Sequence, residues 1–81
     1  MKISVRLFAA TRQTAGCDSV EIELPDGATV GQLRLGLARQ VPALATLIEH
    51  ATFALDAEYA DDEAIIHPGG EVACIPPVSG G

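Results

Sequence analysis

Two segments near the start of the chain alternate strictly between apolar and polar side chains, and this pattern constrains the fold most. In residues 2–8, Ile3, Val5 and Leu7 fall on one side, and the polar residues Lys2, Ser4 and Arg6 fall on the other. Residues 19–24 repeat the alternation. A period of two is that of a half-buried β-strand, so the two segments are predicted to pair as a hairpin. Residues 9–18 lose the period and are interpreted as the loop that joins them.

A helix is predicted directly after the second strand. Residues 25–27 read Pro-Asp-Gly, a strong turn signal, and Thr29 and Gln32 have the spacing of a capping box. An apolar stripe at helical spacing would then cover one face of the sheet, and it comprises Val30, Leu33, Leu37 and Val41. Pro42 is expected to end this helix. A further short helical segment is predicted over residues 44–48.

The second half of the chain predicts three more strands: residues 52–55, a short edge strand around Tyr59, and residues 72–75. Residues 61–70 are interpreted as a polar loop with a buried patch at Ile65 and Ile66. Residues 72–75 contain no polar side chain, which predicts a central strand that is buried on both faces. It would lie beside the first strand, with the helix supplying a crossover for parallel pairing. The sequence therefore predicts an α+β fold of the ubiquitin-like β-grasp type, a mixed sheet of about five strands with one main helix packed across it.

The charge balance excludes several classes of function. The 81 residues carry eleven carboxylates and five scattered basic side chains, which gives a net charge of −6. Such a chain has no basic footprint for nucleic acid, and its acidic surface disfavours anionic membranes and favours a basic protein partner. No secretory signal and no apolar stretch of membrane-spanning length are found in the sequence, so we expect a cytoplasmic protein.

The cysteine and histidine residues predict neither a metal site nor a catalytic centre. Cys17 and Cys74 are far apart in the sequence, and their spacings to His50 and His67 match no common ligand pattern. In a cytoplasmic protein both thiols are expected to be reduced. No serine or cysteine has a recognisable nucleophile context, so we expect that the chain alone is not an enzyme and binds no cofactor.

The last six residues carry the predicted chemistry. We divide the chain into a domain over residues 1–75 and an extended tail over residues 76–81, which reads Pro-Pro-Val-Ser-Gly-Gly. Pro76 and Pro77 would stiffen the exit from the sheet and prevent further strand pairing. Gly80 and Gly81 have no side chains, so a carboxylate on Gly81 would fit a channel too narrow for other residues. A carboxylate becomes a good electrophile once it is adenylated, which an activating enzyme with ATP would do.

The sequence resembles the small, sulfur-carrying subunit of molybdopterin synthase over almost its whole length. The likeness rests on Leu7-Phe8-Ala9-Ala10 with Arg12 and Gly16, Thr29-Val30 with Leu33, Ala54-Leu55-Asp56-Ala57-Glu58-Tyr59, Gly70-Glu71-Val72-Ala73 and the tail from Pro76 to Gly81. The tail is the most specific of these motifs. Two positions depart from the family pattern: Asp56 replaces a common asparagine, and Gly70 replaces a common aspartate.

The resemblance implies a cycle centred on Gly81. An activating enzyme similar to the one that starts ubiquitin transfer would adenylate Gly81 with ATP, and a sulfur donor would then convert it to a thiocarboxylate. The large subunit of the synthase would take up the tail, with Val78, Ser79 and Gly80 threading its active site, and sulfur would pass to the pterin precursor. Two small and two large subunits form the family's usual assembly. Gly81 would thus be a cosubstrate, and the catalytic side chains would belong to the partner.

A docking patch for the partner is predicted beside the tail. Phe8 lies on the polar side of the first strand, and exposed apolar groups near the tail exit would suit a partner surface. We therefore expect Phe8, Ile75, Pro76 and Pro77 to contact the partner, together with Val78. The alternative is that Phe8 only covers the edge of the core.

Three other functions remain open from the sequence. The chain could carry sulfur for another pathway, such as thiamine thiazole synthesis or tRNA thiolation. It could be a ubiquitin-like protein modifier, although Lys2 is the single lysine on which a chain of modifiers could be built. It could also be a β-grasp binding module in which the tail has no role.

Overall fold

The computed structural model describes residues 1–77, which form one mixed five-stranded sheet and three α-helices. The predicted β-grasp fold is confirmed. In chain order the elements are β1 (Lys2–Leu7), α1 (Ala9–Ala15), β2 (Ser19–Glu23), α2 (Val30–Gln40), a 3₁₀ turn (Pro42–Leu44), α3 (Ala45–His50), β3 (Thr52–Leu55), β4 (Glu58–Ala60) and β5 (Val72–Ile75). The strand order across the sheet is β2-β1-β5-β3-β4.

The strand pairing confirms the predicted hairpin and the predicted parallel pair. β1 and β2 are antiparallel, with Ile3 opposite Ile22. β5 lies parallel to β1, with Leu7 opposite Cys74, and antiparallel to β3. β4 pairs with β3 at the edge of the sheet. The last strand is therefore central, as its apolar sequence indicated.

The interpretation of residues 9–18 as a loop is wrong for most of that segment, because α1 occupies Ala9–Ala15. The side chain of Thr11 holds the start of this helix: its Oγ1 donates to the carbonyl of Phe8 at 2.6 Å and accepts from the Phe8 N–H at 3.1 Å. Gly16 ends it at a φ of 75°, where its N–H donates to the carbonyl of Arg12. A left-handed glycine is a common helix terminator, since it has no Cβ to clash.

The main helix α2 begins with the predicted capping box. The N–H of Gln32 donates to Thr29 Oγ1 at 3.3 Å, and the N–H of Thr29 donates to Gln32 Oε1 at 2.9 Å. Val30, Leu33 and Leu37 are buried against the sheet, whereas Val41 lies just past the helix and is half-buried. Truncating a buried leucine such as Leu33 to alanine would cost about 2–5 kcal/mol.

A glycine allows α2 to approach the sheet closely. A Cβ placed on Gly36 would lie 2.8 Å from Ile22 Cδ1, a separation that real Cβ atoms do not reach. The low helix propensity of glycine is therefore offset by contact between the helix backbone and the Ile22 side chain on β2.

Two predictions of burial are corrected by the structure. β5 is not buried on both faces: Val72 and Cys74 point into the core, whereas Ala73 and Ile75 are half-buried on the opposite face. The Ile65–Ile66 patch is divided in the same way. Ile66 is buried and Ile65 is exposed, because this segment pairs in extended form with Ala28–Val30 and its side chains alternate.

Arg34 on α2 ties three segments together. Its Nη1 donates to the carbonyls of Ile48 at 2.6 Å and Ala51 at 2.8 Å, which satisfies acceptors at the end of α3. Its Nη2 contacts Asp62 Oδ1 at 2.9 Å, and its guanidinium carbon lies 5.1 Å from the centre of the Phe53 ring.

Within residues 1–77, no helix has the length and hydropathy needed to cross a membrane.

Candidate functional site: an apolar groove at the end of the central strand

The candidate site begins where β5 ends. Ile75 is the last residue of β5, and it is followed by Pro76, which is buried, and by Pro77, which is exposed. Proline cannot donate a backbone hydrogen bond, so the pairing of β5 with its neighbours stops here. Residues 78–81, on which the predictions for Val78, Ser79, Gly80 and Gly81 depend, lie outside the described residues.

The parallel pairing of β1 and β5 brings Phe8 to the same place. Because Leu7 is opposite Cys74, the register carries the next residues, Phe8 and Ile75, alongside each other on the face that the helices do not cover. Phe8 directly follows β1 and is the N-cap residue of α1. Its side chain is 40% exposed. Topology thus places an exposed aromatic ring beside the last residue of the central strand.

An open groove, which we call the sheet groove, runs over this helix-free face. The residues that line it come from β1, β3, β4, β5 and the adjoining turns, and they are Arg6, Phe8, Ala54, Ala57, Tyr59, Glu71, Val72, Ala73 and Ile75. A second depression continues from it and shares two of these residues; it is lined by Thr52, Tyr59, Ile75, Pro76 and Pro77. The two together form one surface that reaches from Phe8 to the prolines.

Tyr59 is the most exposed of the large hydrophobic side chains on this surface. It lies on the edge strand β4, is 77% exposed and lines both depressions. Tyrosine provides a large apolar area with a polar end, and it is enriched at protein interfaces. The sequence placed Tyr59 on an edge strand but did not assign it to the site. Tyr59 is opposite Ala54 on β3, and Ala54 is opposite Ala73 on β5. These two pairings would have indicated that Tyr59 lies on the same face of the sheet as Ala73.

The charged groups lie around the apolar centre. The guanidinium carbon of Arg6 is 5.5 Å from the centre of the Phe8 ring, a cation–π distance that holds the charge over the ring. Glu71 contributes a carboxylate to the groove lining. This arrangement of an apolar centre with charged residues at its border is typical of a protein-binding surface.

The structure places the predicted docking residues as follows. Phe8 and Ile75 line the sheet groove, and Pro76 and Pro77 line its continuation. Because Pro76 is buried, it contributes more to the direction of the chain than to an exposed contact. The contact of these four residues with a partner stays a prediction.

The residues that could act as bases or nucleophiles are dispersed. His50 ends α3 and His67 lies in a loop, and both are exposed. Cys17 is exposed, whereas Cys74 is buried, and burial raises the pKa of the Cys74 thiol to about 11. Across residues 1–77, no group of three or more His, Cys, Asp and Glu side chains is arranged to hold a metal ion.

Strand order, a parallel central pair and a helix across one face define a ubiquitin-like protein of the β-grasp class. Within that class, the chain belongs to the ThiS family, whose pattern matches residues 5–81. The match includes the Gly-Gly end of the sequence and nearly the whole of the described fold. It confirms the family resemblance that the sequence motifs indicated.

The relatives of this chain agree with this assignment. The molybdopterin synthase sulfur carrier subunit of Chlamydomonas reinhardtii is 40% identical over 83 residues, which cover 100% of both chains. Among solved structures, SAMP1 from Haloferax volcanii superposes with a TM-score of 0.85 and 29% identity, covering 100% of both chains. A chain in the complex of subunits 1 and 2 of the molybdopterin-converting factor from Helicobacter pylori has a TM-score of 0.70 over 100% of both chains. At 21% identity, that last likeness concerns the fold.

Proposed function

We propose that this protein is a sulfur carrier that serves molybdopterin synthesis and donates sulfur from a thiocarboxylate on Gly81. The observation that carries the proposal is the junction of groove and tail. Ile75, the last residue of β5, lines the sheet groove, and the six residues that follow it in the sequence end in Gly80-Gly81. A partner bound at the groove would therefore have the glycine end of the chain within reach.

The covalent steps involve the Gly81 carboxylate and two partners. The carboxylate attacks the α-phosphate of ATP in an activating enzyme, which forms an acyl-adenylate and releases pyrophosphate. A donor that supplies sulfur at the oxidation level of sulfide then attacks the acyl carbon, and AMP leaves as the thiocarboxylate forms. Transfer of that sulfur to the pterin precursor, with water supplying the oxygen, regenerates the carboxylate. The glycine pair suits each step because no side chain obstructs the reacting carbon.

The large subunit of molybdopterin synthase is the proposed acceptor partner, in an assembly of two small and two large subunits. The Helicobacter pylori complex supports this choice, because one chain of that complex of subunits 1 and 2 shares the fold of the present chain. The sheet groove supplies the docking surface, with Phe8, Tyr59 and Ile75 as its apolar contacts. The catalytic side chains would come from the partner, and the present chain would work as a cosubstrate in the cytoplasm.

A second candidate function is attachment to other proteins. The likeness to SAMP1 of Haloferax volcanii favours it, since that protein is a small archaeal modifier protein. The same adenylate would then be attacked by a lysine amine, and the product would be an isopeptide bond. A sulfur carrier for a different pathway would share all the steps up to the thiocarboxylate and differ in the acceptor alone.

The intact mass of the protein tests the proposal. The full chain is incubated with ATP, the activating enzyme and a sulfur donor, beside a variant that lacks Gly81. We expect a gain equal to the replacement of one oxygen by sulfur in the full chain and none in the shortened variant. No gain, with an enzyme and donor shown to be active on another carrier, would overturn the proposal. Adding the large subunit and the pterin precursor then distinguishes molybdopterin synthesis from the other pathways.

A further inference from the structure

The outer edge of β2 is a feature of the fold that the proposed function does not use. β2 is the terminal strand of the sheet and pairs with β1 on one side. The N–H of Leu7 donates to the carbonyl of Asp18, and the N–H of Leu24 donates to the carbonyl of Met1, so residues 18 and 24 face β1. In an antiparallel pair the direction of the backbone groups alternates. The N–H and C=O groups of Ser19, Glu21 and Glu23 therefore point away from the sheet.

One of these outward carbonyls accepts a hydrogen bond from a side chain, in the place where a further strand would donate one. Nε2 of Gln40, at the end of α2, donates to the carbonyl oxygen of Glu21 at 2.6 Å. A neighbouring strand would donate to this carbonyl from a backbone N–H. Both Gln40 and Glu21 are exposed. The backbone N–H of an incoming strand could therefore replace the carboxamide of Gln40 without breaking a buried contact. The edge is thus able to bind a strand and is occupied by an exchangeable group.

A groove beside β2 has room for the side chains of such a strand. It runs between β2 and the second half of α2 and is lined by Lys2, Glu21, Ile22, Glu23, Gly36, Arg39 and Gln40. Its floor includes Gly36, which has no side chain, and Ile22, against which Gly36 packs. If a further strand were added beside β2, small apolar side chains on its alternate residues would fit into this groove.

The opposite face of the added strand would meet carboxylates. Glu21 and Glu23 are exposed and point to the helix-free face, where Glu23 is opposite Lys2 and Glu21 is opposite Ser4. Ser4, directly opposite Glu21, carries no charge, and the basic residues Lys2 and Arg6 of β1 lie diagonal to Glu21 on the same face. Together with a net charge of −6, this arrangement favours lysine or arginine on the residues that face Glu21 and Glu23. A second copy of β2 would instead bring glutamates against glutamates.

We propose that the β2 edge binds an extended basic segment of a partner protein as a sixth, antiparallel strand, displacing the carboxamide of Gln40. The segment alternates basic residues, which face Glu21 and Glu23, with small apolar residues, which enter the groove beside Gly36. Main-chain hydrogen bonds provide affinity and the alternating side chains provide selectivity. The proposal involves no residue of the tail, so its failure and that of the sulfur-carrier function are independent.

The probe is an acetylated and amidated heptapeptide in which lysine and valine alternate, titrated into the full-length ¹⁵N-labelled protein. A lysine opposite Glu21 would make both backbone bonds to it, whereas the valine N–H groups would face away. We therefore expect slower hydrogen exchange at the amides of Glu21 and Glu23 with this peptide and with a version N-methylated on its valines. The version N-methylated on its lysines has the same charge and should give no protection. Equal binding of the two N-methylated peptides, or no protection with the unmodified one, would overturn the proposal.

Two variants test the edge from the protein side. Gln40→Ala removes the competing carboxamide and should tighten binding of the heptapeptide, whereas an unchanged or weaker affinity would overturn the displacement of Gln40. The double change of Glu21→Gln and Glu23→Gln preserves size and should weaken binding by about two- to fivefold per lost ion pair. Peptide-induced shifts centred on Asp61, Asp62 and Glu63 in place of β2 would identify simple charge attraction and contradict the proposed site.

Discussion

Asp56 and Glu71 are joined by two hydrogen bonds that extend the pairing of β3 and β5 beyond the ends of the strands. The N–H of Asp56 donates to the carbonyl of Glu71 at 2.9 Å, and Oδ1 of Asp56 accepts from the N–H of Glu71 at 2.9 Å. Since Leu55 is opposite Val72, the pair is the next step of the same register. It fixes the β3–β4 turn against the start of β5, at the border of the sheet groove.

The Asp56 carboxylate also lies beside Gly70, the other position at which the sequence departs from the family that it resembles. A Cβ on Gly70 would lie 3.4 Å from both carboxylate oxygens of Asp56, so an aspartate at position 70 would place two carboxylates side by side. We expect Gly70→Asp to lower the free energy of unfolding by about 1 kcal/mol in urea titrations. Gly70→Asn, which has the same shape without the charge, should cost less. Adding Asp56→Asn to Gly70→Asp should recover part of the loss, and equal costs for the aspartate and asparagine variants would contradict the electrostatic cause.

The turn between β3 and β4 is strained at Ala57. Asp56 and Ala57 have φ values of 50° and 69°, which is the left-handed conformation that two-residue hairpin turns of type I′ require at both positions. In this conformation the Cβ of alanine is sterically unfavourable, and glycine has no Cβ. Ala57→Gly should therefore raise the free energy of unfolding by about 0.5–1 kcal/mol. Ala43→Gly, in the 3₁₀ turn and without a positive φ, should lower it, and a loss of stability in both variants would contradict the strain at Ala57.

The fold could be predicted from the sequence wherever a hydrophobic period was present. The alternation in residues 2–8 and 19–24 and the stripe on α2 indicated the hairpin and the main helix, because burial on one face imposes that period. Helix α1 has no such stripe. Its buried residue is Thr11, a polar side chain whose hydroxyl bonds to Phe8, and the residue that precedes the helix is an aromatic one. The glycine at position 16 was the local signal that a helix ended there.

The candidate site could be predicted in part for the same reason. Ile75 was assigned to the docking patch because it directly precedes the tail, and Phe8 because it is an apolar residue on the polar side of the first strand, which was predicted to pair with the last one. Tyr59 was not assigned, because its place in the groove depends on two successive strand registers, β4 with β3 and β3 with β5. Pairing registers are set by the whole sheet, and a local pattern does not specify them.

Arg34 should contribute more to stability than its position near the surface suggests. Its guanidinium group, a planar fork of N–H donors, donates hydrogen bonds to the carbonyls of Ile48 and Ala51 and to the carboxylate of Asp62. A lysine ammonium cannot reproduce this set of bonds. We expect Arg34→Lys to lower the free energy of unfolding by about 1–3 kcal/mol because helix-end carbonyls lose their donor. Arg39→Lys, the same change at an exposed position of the same helix, should alter it by less than about 0.5 kcal/mol. Thermal or urea unfolding of both variants measures the difference, and equal effects would exclude a special role for the fork.

The two cysteines should respond oppositely to a thiol reagent. Burial raises the pKa of the Cys74 thiol from 9.0 to about 11, an effect that outweighs the opposing influence of Arg34 and of the Thr11 hydrogen bond. Iodoacetamide should therefore modify the exposed Cys17 in the folded protein and Cys74 only after unfolding.

The same shift predicts how stability depends on pH. The unfolded thiol loses its proton near its ordinary pKa, whereas the folded thiol keeps it, so the contribution of Cys74 is complete below pH 9.0 and is lost as the pH rises towards 11. The full loss is on the order of 2–3 kcal/mol. Urea titrations between these pH values should show a steeper decline for the wild type than for Cys74→Ala. Parallel declines would contradict the assignment to this thiol.

Phe8 and Tyr59 should provide much of the affinity for the large subunit if the sheet groove is the docking surface. Both rings are exposed in the free chain and line the groove beside Ile75, so truncation removes contact area with the partner and little of the core. We expect Phe8→Ala and Tyr59→Ala each to weaken binding by about tenfold, the usual effect of an aromatic anchor, with little change in the unfolding midpoint. Leu35→Ala is the matched control, because Leu35 is 61% exposed on α2, on the helix-bearing side. Calorimetric titration of the large subunit measures all three variants. A Phe8→Ala variant that loses stability and keeps its affinity would show that this ring covers the edge of the core, and the docking surface would then have to lie elsewhere.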